Sequence, residues 1–527
     1  MEPHVDPVKD GPPPEELFRT LAPAEKPAWL DSSADDHELS RFSYLAWDPW
    51  ATLEWRADGH GARLTLEDSR DTLSLGHDPF QALEALLHAS RSGPSRARPA
   101  PFRGGIIGYL GYELGGCLER LPPHPPLDLG FPGLQMRCYN IVYIYDHRRA
   151  RASLSVGEVD GLPARRGSAY VERVRKVVGE RLQSAKTRRL IAGTGRDDTQ
   201  RATGTDLRPE DADRESGAGR RVEADLAQDA GGALAGIESD VSPADYRTMV
   251  AAARDYIARG DIFQVNVSQR FRGPVAGRPR ELYLRLRRRH PAPFSAYLTA
   301  GTDRAVLSVS PELFLSLRGR RVETRPIKGT TARREDPAQD RAARAALVRS
   351  PKDRAELTMI VDLERNDLGR VCEFGSVKVP TLAAVESFAT VHHLVATVVG
   401  TLQTGLDIVD LLRAGFPSGS VTGAPKIRAM EIIAELERTA RSVYTGSVGW
   451  IGWDGAAQFN VAIRTALYSS GETVYRVGGA VVADSDPLLE YEETMDKGQA
   501  LYATLAESAP ERNRTAPAGK IPELRRP

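Results

Sequence analysis

Cysteine is almost missing from this chain: three residues in 527, Cys117, Cys138 and Cys372, odd in number and far apart. That excludes a disulfide framework and a metal site built from cysteines, and it suits reduced thiols. Net charge is missing too, since 71 basic side chains balance 71 acidic ones. Without a whole-molecule field, no nucleic-acid or anionic-membrane partner is expected, and any anionic substrate has to be met by local charges. No apolar run approaches the roughly 18 residues that span a bilayer. Met1 to Pro14 is acidic and proline-rich, where a leader would be basic and then apolar. The expectation is a cytoplasmic protein without a membrane segment.

Aromatic residues are absent between Tyr170 and Tyr246, and Thr187 to Gly236 is rich in Gly, Asp, Arg and Ala. Such a composition buries too little apolar surface to offset the entropy of ordering it. Residues 186–236 are therefore expected to be a flexible linker or insertion. It would separate an ordered N-terminal region, 24–185, from a denser region, 237–507. A flexible N-terminus, 1–23, and a polar disordered tail, 508–527, complete the division. No internal repeat is evident.

Strand patterns in the first region fall at Ser40 to Ala46, Ala62 to Leu66 and Tyr139 to Tyr145, with a helix at Pro79 to His88. Gly104-Gly105-Ile106-Ile107-Gly108 lacks the order of a dinucleotide loop and reads as close strand packing. In the second region a helix is expected from Ser242, which caps it ahead of Pro243, to Arg259. Strands are expected at Ile262 to Phe271, Ala296 to Thr299, Ala305 to Ser308, Leu313 to Leu317, Val322 to Pro326, Val443 to Trp453, Gln458 to Tyr468 and Thr473 to Val482. Helices are expected at Pro337 to Val348, Pro351 to Asp362, Ile408 to Ala414, Pro425 to Glu437 and Pro487 to Ala506. Many strands joined by turns, with helices grouped between them, indicate an α+β layered fold and not a βαβ repeat.

Chemistry concentrates in a few stretches. Arg325-Pro326-Ile327-Lys328-Gly329-Thr330 presents one amine on stiff backbone, with Gly329 leaving it no bulky neighbour on one side. A lysine with an ordinary pKa of about 10.4 is neutral only about one part in a thousand near pH 7.4, so a catalytic role needs burial or a nearby cation. Ser350-Pro351-Lys352-Asp353 and Asp486-Pro487-Leu488-Leu489-Glu490 start two helices alike. Asp353 and Glu356 on one, and Glu490 and Glu493 on the other, lie one turn apart. Four carboxylates on two helical faces could cage Mg²⁺, although acids are also common in first turns. Gly419-Ser420-Val421-Thr422-Gly423-Ala424-Pro425-Lys426 has the wrong spacing for a nucleotide phosphate loop, but its backbone N–H groups could hold a carboxylate. Gly478-Gly479-Ala480 is a second place where backbone could approach a ligand.

Together these stretches resemble the chorismate-utilising enzymes, the family that includes anthranilate, aminodeoxychorismate, isochorismate and salicylate synthases. The motifs that carry the resemblance are Gly260 to Asn266, Ser310-Pro311-Glu312, Pro326 to Thr330, Asp362 to Asp367, Ser418 to Lys426 and Gly478 to Asp484. It is dense over Val241 to Leu505 and weaker in the N-terminal block, through Leu30-Asp31-Ser32 and Tyr44-Leu45-Ala46. It implies an anthranilate-synthase-like fold of two antiparallel-rich sheets packed face to face with helices outside. It also implies Mg²⁺ held by Glu356 and Glu493, with Asp353 and Glu490 in support, gripping the ring carboxylate of chorismate. Tyr444, Arg464, Lys497, Ser420, Gln264 and the backbone at Gly478 and Ala480 would hold the substrate. Glu312 matches the carboxyl that protonates the departing C4 hydroxyl, and His393 the family's active-site histidine.

Two positions separate the branches of that family. Isochorismate and salicylate enzymes carry a water-activating lysine where this chain has Gln264, and anthranilate synthases usually carry alanine where it has Lys328. Pro326 to Thr330 and His290 to Ser295 resemble the aminodeoxychorismate pattern. A lysine amine could then attack C2 and leave C4 open to ammonia. Ammonia implies a separate glutamine amidotransferase subunit, because Cys117 lacks the glycine that a nucleophile elbow needs two residues on and Glu119 stands there instead. Asp31, Ser32, Pro293 and Phe294 match a tryptophan pocket found in part of the family. An anthranilate synthase component with an unusual lysine, and a non-catalytic chorismate-binding protein, are the alternatives.

Overall fold

The computed structural model describes residues 3–34, 39–57, 59–90, 102–125, 129–159, 165, 167–197, 237–388 and 390–506. Two twelve-stranded antiparallel sheets carry the fold. The first runs from the edge strand His4–Val8 through Arg151–Val156, Ile141–Asp146, Phe42–Ala46 and Ala28–Asp31 to Phe294–Gly301. It continues through Arg304–Ser310, Thr465–Ser469, Glu472–Val481 and Gln264–Pro274 to the short Glu238–Ser239. The second begins at Ile327–Ala332 and passes through Val391–Thr401, Arg321–Arg325, Leu313–Arg318, Ala457–Asn460 and Ser447–Gly452. It ends with Gly105–Leu110, Leu134–Tyr139, Ala51–Arg56, Gly61–Leu66 and Thr72–Ser74.

The alternation of side chains along each strand explains the layering. Ala296 and Leu298 join Val306, Ile107, Tyr109 and Trp450 in the core between the sheets. Their neighbours Tyr297 and Leu307 face the other way, onto helices that bring Leu282, Leu286 and Leu501. In the second sheet Ile106 likewise turns outward to Leu83, Leu357 and Val361. Gly105 and Gly108 allow the close strand approach read from the sequence: a Cβ at either would lie 2.1 and 1.9 Å from the carbonyl oxygens of Ile451 and Gln135.

Both sheets mix strands from before and after residues 198–236, so that boundary in the sequence is not a boundary in the fold. The helix Ser168–Asp197 runs into the stretch expected to be linker, and most of that stretch lies outside the described residues, as does the tail from 507. The expected flexible N-terminus is corrected. His4–Val8 pairs with Arg151–Val156, and Leu17 and Phe18 are fully buried, with Phe18 packed on Trp29 and Tyr297. Tyr139 to Tyr145 is two strands, one in each sheet, with the chain crossing between them at Asn140. Gln458 to Tyr468 is also split, by 461–464. The strands Lys378–Ser387 and Val391–Thr401 and the arginine-rich helix Pro279–Arg289 were not anticipated.

Candidate active site

Lys328 does not sit in a surface turn. It lies in the strand Ile327–Ala332, which pairs with Val391–Thr401 through a register shift between Ile327 and Thr330. Lys328 and Gly329 form the irregular step, and such a bulge re-aims a side chain out of the strand's alternation. Gly329 has φ 79°, a conformation glycine adopts without a Cβ penalty. A Cβ there would stand 2.8 Å from Cγ of Asp353, so the strand and the start of the helix Pro351–Gly369 are in close contact at this point.

That helix begins as its sequence indicates. The Ser350 hydroxyl accepts from the Asp353 N–H at 3.3 Å, behind Pro351 at the first position. The helix Pro487–Ala506 starts with Asp486 accepting from the N–H groups of Leu488 and Leu489 at 2.9 and 3.1 Å. The two helices aim their acids at one region. Glu356 is pushed up by burial, with Lys328 and Lys352 opposing and Asp353 and Glu490 adding to the rise. Glu490 is buried and pushed up by desolvation, with Glu493 adding its charge, while the Ser485 hydroxyl donates to it at 2.6 Å. Gly479 leaves room for that carboxylate, since a Cβ would lie 2.9 Å from Oε2 of Glu490. At the open mouth Glu493 pairs with Lys497 at 2.5 Å. Burial opposes the charge on Glu493, but Lys497, Lys352 and Lys328 outweigh it and hold its carboxyl low.

Lys328 is buried among these groups. Burial drives its pKa down, with Lys497 helping and Glu356, Glu312 and Glu493 opposing. Glu312, only 3 % exposed, is pushed up to about 7 by burial, against the Ser420 hydroxyl, the Lys328 charge and the Ile327 N–H. An acid near neutrality beside an amine whose pKa has been lowered is a pairing suited to proton donation next to nucleophilic attack. His393 lies one strand away, its Nδ1 2.8 Å from the Thr330 hydroxyl.

The strand Gln264–Pro274 forms the opposite wall. Asn266 faces Ala480 across the sheet, Ser268 faces Gly478, and the Asn266 amide donates to the Ser420 carbonyl at 2.9 Å. Gln264 is fully buried, and neither of its amide atoms has a hydrogen-bond partner among the described residues. An orphaned buried amide costs roughly 1–3 kcal/mol unless something meets it. Tyr444 is buried and lies 5.9 Å from the Arg441 guanidinium, which is itself locked by Glu437. Arg464 has φ 48° and makes no ion pair or hydrogen bond through its side chain with any described residue, while burial alone holds its guanidinium below the ordinary value. A left-handed, uncompensated arginine is costly to keep and marks a place for an anion.

The acids fit Mg²⁺ by donor type: they are hard oxygens whose mutual repulsion a cation would relieve, and Mg²⁺ needs only one or two carboxylates besides water and substrate. They are not drawn into a ready-made cage, since among the described residues no three His, Cys, Asp or Glu side chains are set to hold a metal. The tryptophan-pocket residues Asp31, Ser32, Pro293 and Phe294 do meet, around a small cavity of about 30 Å³. Asp31 is already engaged by Arg287 at 2.5 Å and Ser32 by the Phe42 carbonyl at 2.8 Å. Cys117 reaches the surface, yet packing around its thiol pushes its pKa up to about 11, which leaves little thiolate for nucleophilic work. An open groove of about 760 Å³ beside Phe263, Met359 and Asn366 holds none of the predicted site residues.

Comparison with known proteins gives the family and the fold. The family model for chorismate binding enzymes matches residues 29–503. The chain belongs to the chorismate-binding enzyme family. It is 36 % identical over 481 residues to aminodeoxychorismate synthase component 1 of Salmonella typhimurium, covering 90 % of this chain and 93 % of the relative. It is 38 % identical over 430 residues to anthranilate synthase component 1 of Streptomyces coelicolor, covering 82 % and 78 %. Anthranilate synthase component I from Streptococcus pneumoniae superposes with a TM-score of 0.69 at 29 % identity, covering 88 % of this chain and 92 % of that one. The isochorismate synthase MenF of Escherichia coli shares the fold, with a TM-score of 0.63 at 15 % identity over 96 % of each chain. The layered α+β architecture expected from the sequence is therefore that of the family. Sequence reasoning missed Lys352, whose charge acts on both acid pairs, and Glu364 with Ser418. All three lie within or beside quoted motifs, but only the fold shows which way their side chains turn.

Proposed function

We propose that this chorismate-binding enzyme is an aminodeoxychorismate synthase component 1, joining chorismate and ammonia to give 4-amino-4-deoxychorismate for 4-aminobenzoate and folate supply. The observation that carries the reading is Lys328, buried on a strand bulge within electrostatic reach of Glu312, Glu356 and Glu493. Overall identity does not separate this branch from anthranilate synthase, because relatives of both kinds are about equally similar. The lysine does. Gln264 supports ammonia over water as the incoming group, since an amide is no base at the position where a lysine would activate water.

In this reading the neutral Lys328 amine forms a bond to C2 while the C4–O bond breaks, the ring double bonds shifting between them. Glu312 gives its proton to the leaving oxygen, which departs as water. Ammonia then bonds to C4, the C2–nitrogen bond breaks, and its electron pair returns to Lys328 as free amine. The ammonium formed at C4 hands one proton back to Glu312, which closes the cycle. Arg464, Tyr444 and Lys497 would hold substrate oxygens, and Ser420 would orient Glu312. Glu356 and Glu493 would hold Mg²⁺, supported by Asp353 and Glu490, and the ion would neutralise the ring carboxylate. Ammonia would come from a separate glutamine amidotransferase, a reading that the designation component 1 in the relatives supports.

The test is product identity. Incubation with chorismate, Mg²⁺ and ammonia, followed by mass spectrometry and fluorescence, should give 4-amino-4-deoxychorismate and no anthranilate. Anthranilate as the main product would replace this reading with the anthranilate synthase one, and no product would favour a binding protein.

A further inference from the structure

Tyr444, which the proposed function gives to the substrate, rides on a strained turn. Ser442 and Thr445 on either side of it have φ 58° and 59°, and both are buried. The left-handed region is costly for a residue with a Cβ, most of all a β-branched one such as threonine, so the turn keeps this form only where its surroundings impose it. Two side chains that the chemistry above leaves unused do so. Glu113 comes from the short helix Tyr112–Cys117, more than three hundred residues earlier, and is buried against the turn. Its Oε1 accepts from the N–H groups of Arg441 and Ser442 at 2.7 and 3.1 Å. Beside it the Tyr112 N–H donates to the Ser442 carbonyl at 2.8 Å.

Arg441, 3 % exposed, holds the other side of the turn with all five of its N–H donors engaged. Two go to Glu437 at 3.0 and 2.7 Å, and one to the Thr445 hydroxyl at 3.2 Å, which itself donates to the Tyr444 carbonyl at 2.6 Å. The remaining two reach the Val421 carbonyl at 3.0 Å and the Asn266 carbonyl at 2.9 Å. One guanidinium therefore ties the turn to the loop that carries Ser420 and to the strand Gln264–Pro274. We infer that Glu113 and Arg441 are positioning residues for Tyr444: they hold the turn 442–445 in its left-handed form and so fix the place from which the tyrosine meets the substrate. A pair with a purely structural role would lower the unfolding temperature when altered and leave the affinity for chorismate alone.

Because the contact between Tyr444 and the substrate is itself part of the proposed function, the experiment includes Y444F. Chorismate consumption is followed with Mg²⁺ and saturating ammonia for the wild type, E113A, E113Q, R441K, Y444F, and E113A and R441K each combined with Y444F, with thermal unfolding alongside. Glu113→Ala leaves two buried N–H groups without their acceptor, so KM should rise at least about fivefold with kcat within about threefold, the pattern of lost substrate binding. Glu113→Gln keeps an oxygen for both N–H groups and should restore most of KM. Arg441→Lys still pairs with Glu437 but cannot span Thr445, Val421 and Asn266 together, so KM should rise likewise, which keeps a readout should E113A not fold. Added to Y444F, either change should cost less than about twofold in KM, because residues that act through one another are not additive. A KM within about 1.5-fold of wild type in whichever of E113A and R441K folds, or the full loss persisting on top of Y444F, overturns the inference. If Y444F alone keeps the wild-type KM, the assignment of Tyr444 to the substrate fails and takes the inference with it; if Y444F raises KM while E113A and R441K do not, only the positioning role fails.

Discussion

Gly329→Ala changes no group with chemistry, yet it should damage both the stability and the turnover of this enzyme. Gly329 holds φ 79°, where an alanine costs roughly 1–2 kcal/mol. Its Cβ would also lie 2.8 Å from Cγ and 2.9 Å from Cβ of Asp353. Those atoms are close to the backbone and not at the tip of a flexible chain, so the first turn of the helix Pro351–Gly369 has to retreat by about half an ångström to reach ordinary contact. Together the strain and the contact should lower stability by about 2–3 kcal/mol. The same retreat moves Glu356 away from the Lys328 nitrogen, and a shift of that kind costs on the order of 10- to 100-fold in rate. Urea unfolding gives the first quantity and product formation from chorismate and ammonia the second. A G329A protein with the wild-type unfolding midpoint and turnover would refute the argument that the bulge aims the lysine.

Arg464→Ala removes a half-buried, unpaired cation, so the chorismate KM should rise about 10- to 100-fold, the worth of a lost charge-assisted pair of roughly 1.5–3 kcal/mol, while thermal stability holds or improves; an unchanged KM would remove Arg464 from the substrate site. Phe18→Ala opens a cavity beside Trp29 and Tyr297 and should cost about 3–5 kcal/mol in urea unfolding, whereas a loose N-terminus would make it silent. Glu356→Gln should raise the Mg²⁺ concentration needed for half-maximal activity at least tenfold, and an unaltered Mg²⁺ titration would refute the metal assignment. The wild-type alkaline limb of kcat should fall near pH 7: Glu312 acts in its protonated form, and with its carboxyl at about 7 the active fraction falls about tenfold between pH 6 and 8.

Much of the site was legible because its motifs are local. The cap at Ser350, the first-turn acids and the glycine after Lys328 each act within a few residues, and each folds as its sequence indicates. The fold class followed from many short strands with alternating burial. What stayed hidden depends on distant partners. That Lys328 lies on a strand was hidden because the strand Val391–Thr401 that pairs with it, through a bulge, lies about sixty residues on. Phe18 looks loose among prolines and acids until Trp29, Tyr283 and Tyr297 surround it. Asn140 is ordinary in sequence, and only the packing of two sheets makes it a crossing point. Glu364 sits in a quoted motif, but the Ser418 hydroxyl that donates to it lies more than fifty residues away.

The most direct test is the fate of the Lys328 amine. The enzyme is incubated with chorismate and Mg²⁺ without ammonia, quenched, digested and mapped by mass spectrometry. The expected result is an adduct of chorismate less one water on the peptide that carries Lys328, removed by added ammonia, with no adduct and no aminodeoxychorismate from K328A. Wild-type turnover in K328A, or rapid product formation by an enzyme whose Lys328 is never modified, would contradict it.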